Sequence, residues 1–293
     1  MKTSGNVRIE KGSRVGIVCC SNGQPQTARE NLERLGDTLQ SMGLFPVFSE
    51  YIYAKKSVFG GSGKERAESL MKFYRDDGIR AVFDISGGDI ANEVLPWLDF
   101  DVIAGSEKSF WGYSDLTTVL NAIYARTGRK GVLYQVRNLI YQYGKKQQAD
   151  FQTAVFEGRD GLFSFDYTFA QGEEMRGIVV GGNIRCLLKL AGTPYWPDMR
   201  QKILLLESYG GEVPQMTAYL NQLKQIGVFE QINGILLGTF TQMEREECSP
   251  GILELVKEYA GKEMPIAKTN EIGHGMDSKG IVIGEELPWK QKR

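Results

Sequence analysis

The sequence predicts an α/β protein of two domains, an N-terminal parallel-sheet α/β domain and a C-terminal α/β domain. Three observations carry the prediction. Short apolar runs alternate with helical patterns through the first half, the arrangement that builds a parallel sheet with helices on both faces. The same alternation resumes in the last third. Between them, residues 144–172 open on a polar stretch, KKQQADFQ, and carry no clear periodicity. A chain of 293 residues suffices for one large or two ordinary domains with a real core. We place the N-terminal domain at 1–145, a connection at 146–174 and the C-terminal domain at 175–293.

In order, 15–19 (VGIVC) has the length and composition of a buried strand, and Ala28, Leu32, Leu35, Leu39 and Met42 follow at helical spacing. A short strand is expected over 45–48. A helix over 64–74 puts Ala67, Leu70, Met71 and Tyr74 on one face. The run 81–85 (AVFDI) is a strand ended by Gly87-Gly88, and a strand near 109–111 leads into Ser114. Leu116, Val119, Leu120 and Ile123 then repeat as one helix face. In the last third, 177–180, 203–206 (ILLL), 234–237 (GILL) and 265–267 are expected strands, with helices over 217–225 and 253–259. There is no internal repeat and no low-complexity tract.

Composition excludes several function classes. Hydrophobic residues make up 42% and charged residues 24% of the chain, the ordinary soluble range. Thirty-five basic residues balance thirty-six acidic ones, so charge gives no reason to expect nucleic acid or an anionic membrane as partner. No apolar run approaches a membrane span, and the opening MKTSGNVRIEKGSRV has no apolar core, so a cytoplasmic location is expected. Cys19, Cys20, Cys186 and Cys248 lack zinc-type spacing and read as reduced thiols. The basic end, 290–293, reads as a solvated tail. Gly60-Gly61-Ser62-Gly63-Lys64 resembles a phosphate loop. It has Val58 where that motif needs its first glycine and Glu65 where it needs Ser or Thr, so nucleotide binding is not expected there.

Open α/β sheets place their sites at the carboxyl ends of strands. Ser114, Glu207 and His274 all fall at such ends. Ser114 lies in a strand–Gly–X–Ser–helix pattern (Gly112-Tyr113-Ser114) that resembles a nucleophile elbow, with a helix N-terminus aimed at the reacting carbonyl. Leu116 stands where the usual elbow has its second glycine, and the local pattern equally allows Ser114 and Asp115 to be plain helix caps. Glu207 follows four aliphatic residues; it is either a solvated strand end or the partner of an imidazole. His274, between Gly273 and Gly275, is the single histidine of the chain, so any histidine-based proton transfer has one candidate. Its flanking glycines argue for an exposed imidazole. Gly87-Gly88 is either a turn or a place where backbone approaches a substrate with a free N–H.

At these residues the sequence resembles the LD-carboxypeptidase family of serine peptidases, which includes murein tetrapeptide carboxypeptidases and microcin immunity proteins. The resemblance runs over about 13–285. It rests on GYSDLTTVLNAIYARTG (112–128), SGGDIANEVLPWLDFD (86–101), GGNIRCLLKLAGTPYWP (181–197), LLLES (204–208) and IGHG (272–275). It implies a Ser114 nucleophile completed by Glu207 and His274, and an oxyanion hole from the Gly88 and Asp115 amides. Gly87, Asp89 and Tyr113, their neighbours, become the candidate substrate-binding residues. It further implies no metal, no organic cofactor and a homodimer acting on a small peptide or peptide conjugate. The expected reaction is hydrolysis of the L,D-peptide bond to a terminal D-residue in murein tetrapeptide fragments. The alternatives are cleavage of the amide of a peptide–nucleotide antibiotic, or a silent peptide-binding protein. Ser86 and Asp89 stand where many murein enzymes have Arg and Tyr, NEVLPWLD and YARTG look closer to the microcin immunity branch, and VLYQVRNL (132–139) replaces a usual Gly-Pro segment.

Overall fold

The structure, a computed structural model, describes residues 7–291. Of the expected basic tail, 292–293 lie outside the described residues, while Lys290 ends a strand and lies 3.2 Å from Glu174.

The N-terminal half runs β1 (Arg14–Val18), α1 (Arg29–Ser41), β2 (Phe45–Phe48), α2 (Gly63–Arg75), β3 (Ile79–Asp84), α3 (Phe100–Gly105), β4 (Ser109–Gly112), α4 (Thr117–Thr127), β5 (Gly131–Leu133) and α5 (Gly144–Val155). The C-terminal half follows with β6 (Thr168–Gln171), β7 (Glu174–Asn183), α6 (Ile184–Leu188), β8 (Lys202–Ser208), α7 (Val213–Gln225), β9 (Gly234–Phe240), β10 (Ile266–Lys268), β11 (Ile281–Ile283) and β12 (Glu286–Lys290). The strands form two six-stranded sheets, in the orders β11-β5-β4-β3-β1-β2 and β12-β7-β8-β9-β10-β6. Strands β1 to β5 are mutually parallel, as are β7 to β10, and antiparallel strands sit only at sheet edges.

Alternation along the strands sorts the core into two layers. Val82 and Phe110 face α2 and α4 through Leu70, Met71, Val119 and Ile123. Ala81, Phe83 and Trp111 face α1 and α5 through Leu35, Leu39, Phe151 and Val155. The first layer continues into the second sheet through Val179, Ile203, Leu205 and Leu236, so the two halves share one buried interior.

Helix α5 falls in the stretch whose sequence gave no periodicity. Its inward face is Gln147, Phe151, Ala154 and Val155, helical spacing with a polar residue at one core position. Gln147 is fully buried and satisfied: its carbonyl accepts from Tyr134 Oη at 2.6 Å and its amide donates to the Ser278 carbonyl at 3.2 Å. A buried glutamine in such a network is invisible to hydrophobic patterning. Strand β11 is a second departure from simple order: it leaves the C-terminal half and pairs antiparallel with β5 in the N-terminal sheet.

The phosphate-loop look-alike is a helix start. Ser62 caps α2, its hydroxyl accepting from the Glu65 amide at 3.2 Å, while the Glu65 carboxylate accepts from the Ser62 amide at 2.8 Å.

Candidate active site

Strand β4 delivers Ser114 on a turn that its own residues enforce. Ser114 has φ +57°, a left-handed conformation rare for a residue with a side chain, and 3₁₀ geometry and then α4 follow at once. Gly112 makes the turn possible: a Cβ there would lie 2.6 Å from that of Leu116. Leu116, in place of the usual second glycine, therefore occupies the room that Gly112 leaves. Neither Ser114 nor Asp115 caps its own helix. The Ser114 hydroxyl faces His274, and the Asp115 carboxylate is bound by groups from other segments.

His274 and Glu207 reach Ser114 from the other sheet. His274 Nε2 lies 3.0 Å from Ser114 Oγ, and His274 Nδ1 lies 2.7 Å from Glu207 Oε2. With a carboxylate at Nδ1 that nitrogen carries the proton, which leaves Nε2 free to accept from the serine hydroxyl. Glu207 is the next-to-last residue of β8 and is fully buried, and its Oε2 also accepts from Tyr113 Oη at 2.9 Å. Burial and then the adjacent Glu207 push the Tyr113 phenol well up, so it stays a neutral donor. The imidazole is flanked by two rings, Tyr113 at 4.9 Å and Tyr209 at 5.2 Å between centroids.

Two sequence expectations change here. Tyr113, expected to bind substrate, is buried at 4% exposure and donates to Glu207 instead. Asp89, given the same expected role, keeps an exposed side chain whose carboxylate pairs with Arg185 and lies within 3.6 Å of Lys189, so that expectation stands as it was. The glycine before His274 does not serve an exposed imidazole, whose side chain is only 15% exposed. A Cβ on Gly273 would fall 1.7 Å from Thr239 Oγ1, so the glycine lets the loop lie against β9.

Gly87 and Gly88 follow β3, the neighbour of β4. A Cβ on Gly87 would meet nothing within 4 Å, whereas Gly88 has φ +122° and a Cβ there would collide with the Asn22 side chain. Among the described residues, neither the Gly88 nor the Asp115 amide donates a hydrogen bond to protein. Sequence reasoning missed the groups around them: Ser21, Ala91, Arg185 and Lys189. Each contacts a residue more than 20 positions away, and no local pattern marks such contacts.

The four cysteines are unpaired, and burial pushes the Cys19 and Cys20 thiols well up. No cluster of three or more His, Cys, Asp or Glu residues that could hold a metal occurs among the described residues. No helix among them is long and apolar enough to cross a membrane.

Comparison with known proteins matches two family descriptions, an LD-carboxypeptidase N-terminal domain over residues 15–135 and an LD-carboxypeptidase C-terminal domain over 176–287. The chain is 28% identical over 292 residues to a protein of Bacillus subtilis named a probable murein peptide carboxypeptidase, covering 94% of this chain and 88% of that one. It is 23% identical to the microcin self-immunity protein MccF of Escherichia coli, covering 94% and 90%. The fold superposes on a structure of MccF in complex with glutamyl sulfamoyl guanosine with a TM-score of 0.84 at 20% identity, covering 98% of each chain.

Proposed function

This chain belongs to the LD-carboxypeptidase family and is a serine-type carboxypeptidase, and we propose that it removes the terminal D-residue from murein tetrapeptide fragments through Ser114, His274 and Glu207. The observation that carries this reading is the approach of three polar residues from distant strand ends to 3.0 and 2.7 Å, in the order nucleophile, base, carboxylate.

His274 Nε2 takes the hydroxyl proton as Ser114 Oγ attacks the carbonyl of the L,D-peptide bond. Charge that develops on the carbonyl oxygen is received by the amides of Gly88 and Asp115, which no protein group occupies. Glu207 stabilises the imidazolium, and Tyr113 holds the carboxylate in register. His274 then returns the proton to the leaving amine, and water resolves the acyl-enzyme by the same steps in reverse. No step draws on a metal or an organic cofactor.

The substrate is supported by the resemblance to murein carboxypeptidases and by the relative named for that activity. A second reading, hydrolysis of the amide of a peptide–nucleotide antibiotic, is favoured by Ser86 and Asp89 beside the glycine pair and by the likeness to MccF. Incubation of purified protein with a murein tetrapeptide and, separately, with an aminoacyl sulfamoyl nucleoside distinguishes them. Release of D-alanine from the first supports the murein reading. Amino-acid release from the second alone replaces it. Release from neither removes both as its substrate.

The same resemblance carries a homodimer, while the lack of an apolar span or signal core carries a cytoplasmic location and the polar, aperiodic stretch carries a domain connection over 146–174. Light scattering after size exclusion tests the dimer; a monomer at micromolar concentration removes it.

A further inference from the structure

The two unoccupied amides sit on separate loops, Gly88 after β3 and Asp115 after β4. An oxyanion hole works only if its donors keep a fixed spacing, because about 1 Å of misplacement can cost on the order of a hundredfold in rate. The loop around Gly88 has an unusual set of restraints. Three consecutive carbonyls are each held from outside: Gly87 by the Asn22 amide at 3.2 Å, Gly88 by the Arg185 guanidinium at 3.3 Å and Asp89 by the Lys189 ammonium at 2.8 Å. The carbonyls are bound and the Gly88 amide is left free.

The Lys189 ammonium does a second thing. It lies 2.5 Å from Oδ1 of Asp115, a carboxylate with no solvent exposure. The other oxygen of Asp115 accepts from Ser21 Oγ at 2.6 Å and from the Ala91 amide at 2.8 Å. One cation thus touches the residue after Gly88 and the side chain of the residue whose own amide is the other donor. Lys189 directly follows α6, and Arg185 lies within it, so both come from the C-terminal half. A buried carboxylate needs a charged or multiply hydrogen-bonded partner, which keeps the ammonium in place.

We propose that Lys189 is a positioning residue, a cross-tie from the C-terminal half that fixes the spacing of the Gly88 and Asp115 amides, with Arg185 steadying the same loop. This rests on those two amides being the oxyanion donors. It assigns α6 and the residue that follows it a part in the reaction through the spacing of the two amides.

The test uses a fluorophosphonate, which needs no knowledge of the natural substrate. Ser114 Oγ forms a bond to phosphorus, the P–F bond breaks, fluoride leaves, the serine proton passes to His274, and the phosphoryl oxygen occupies the oxyanion position. Labelling rates are measured for wild type, Lys189→Met, Lys189→Arg and Arg185→Gln, alongside kcat and KM on whichever substrate the wild type turns over. Lys189→Met is expected to slow labelling and kcat together by about ten- to a hundredfold with KM within about twofold, since the donors act only as charge develops. Lys189→Arg is expected to return to within about threefold of wild type, a rescue that a merely structural role would not tie to the transition state. Labelling of Lys189→Met at the wild-type rate overturns the proposal, as does a raised KM with unchanged kcat, which would make Lys189 a substrate contact. If Lys189→Met does not fold, Arg185→Gln decides. Its half-exposed ion pair contributes little stability, and it is expected to label about three- to tenfold slower; a wild-type rate overturns the proposal. Wild-type protein that is not labelled at Ser114 brings down the nucleophile assignment itself, and the cross-tie with it.

Discussion

In the N-terminal sheet Ser114 is fixed by its own backbone; in the C-terminal sheet His274 is fixed by its neighbours. The serine sits at φ +57° between a buried strand and a helix, with Gly112 and Leu116 locked together beneath it. The histidine sits on the loop between β10 and β11, and that loop is stitched to both halves. Thr239 donates its amide to the Ile272 carbonyl at 2.8 Å from the C-terminal side. From the N-terminal side Gln147 donates to Ser278 at 3.2 Å, and Asp150 pairs with Lys279 at 2.6 Å. The nucleophile is therefore a property of one supersecondary unit, while the base is a property of the whole assembly. Changes on the nucleophile side should act on chemistry with little intermediate range, and changes on the base side should be graded.

The largest expected effect tests whether the two sides act as one unit. Ser114→Ala and His274→Ala should each remove nearly all activity, on the order of a million-fold in kcat, and the double variant should be scarcely worse than either. Additive losses would mean that the serine and the histidine serve separate steps. With a single histidine in the chain, a His274→Ala protein of wild-type activity would end the mechanism.

Gly88→Val tests the N-terminal side alone. A side chain at φ +122°, directed into Asn22, must displace the loop. Steady-state kinetics should show a loss of about a hundred- to a thousandfold in kcat, the usual effect of losing one oxyanion donor. Full turnover would remove Gly88 from that role.

Tyr113→Phe sharpens the comparison, because the phenol belongs to the nucleophile's turn but binds the carboxylate of the other side. Its loss leaves the buried Glu207 with one hydrogen bond in place of two. We expect kcat to fall by roughly tenfold and stability by about 1.5–3 kcal/mol, the range for a hydrogen bond to a charged group. Denaturant unfolding and turnover on the same sample check both, and an unchanged kcat would show that His274 alone orients the carboxylate.

The smallest expected effect lies farthest from the chemistry. Burial raises the Asp150 carboxyl, but hydrogen bonds from Lys146 and Lys279 outweigh it and leave the group below its ordinary value. A carboxyl lowered in the folded state stabilises above its unfolded value and loses that contribution as pH falls through the folded one. Asp150→Asn should therefore cost under about 1 kcal/mol at neutral pH, as a partly exposed pair does, and the difference from wild type should shrink below about pH 4. Urea melts at neutral and acid pH measure it. A loss that persists unchanged in acid would assign the effect to packing of α5.

Much of this was legible in the sequence. Alternating apolar runs and helical faces are local, and they announced the parallel strands that carry Ser114 and Glu207. Turn chemistry is local as well, so Gly112-Tyr113-Ser114 could be read as an elbow, and one histidine in the whole chain left one candidate base. What the sequence by itself could not decide was whether Ser114 was a cap or faced an imidazole. The answer depends on a contact across 160 positions. Nor could it turn Tyr113 inward to Glu207 across 94 positions, place Lys189 against Asp115 across 74, or find α5 behind a buried glutamine. Periodicity and turn propensity act between near neighbours along the chain. Hydrogen bonds and ion pairs between distant residues exist only once the sheets have brought them together, and the tertiary structure alone decides them.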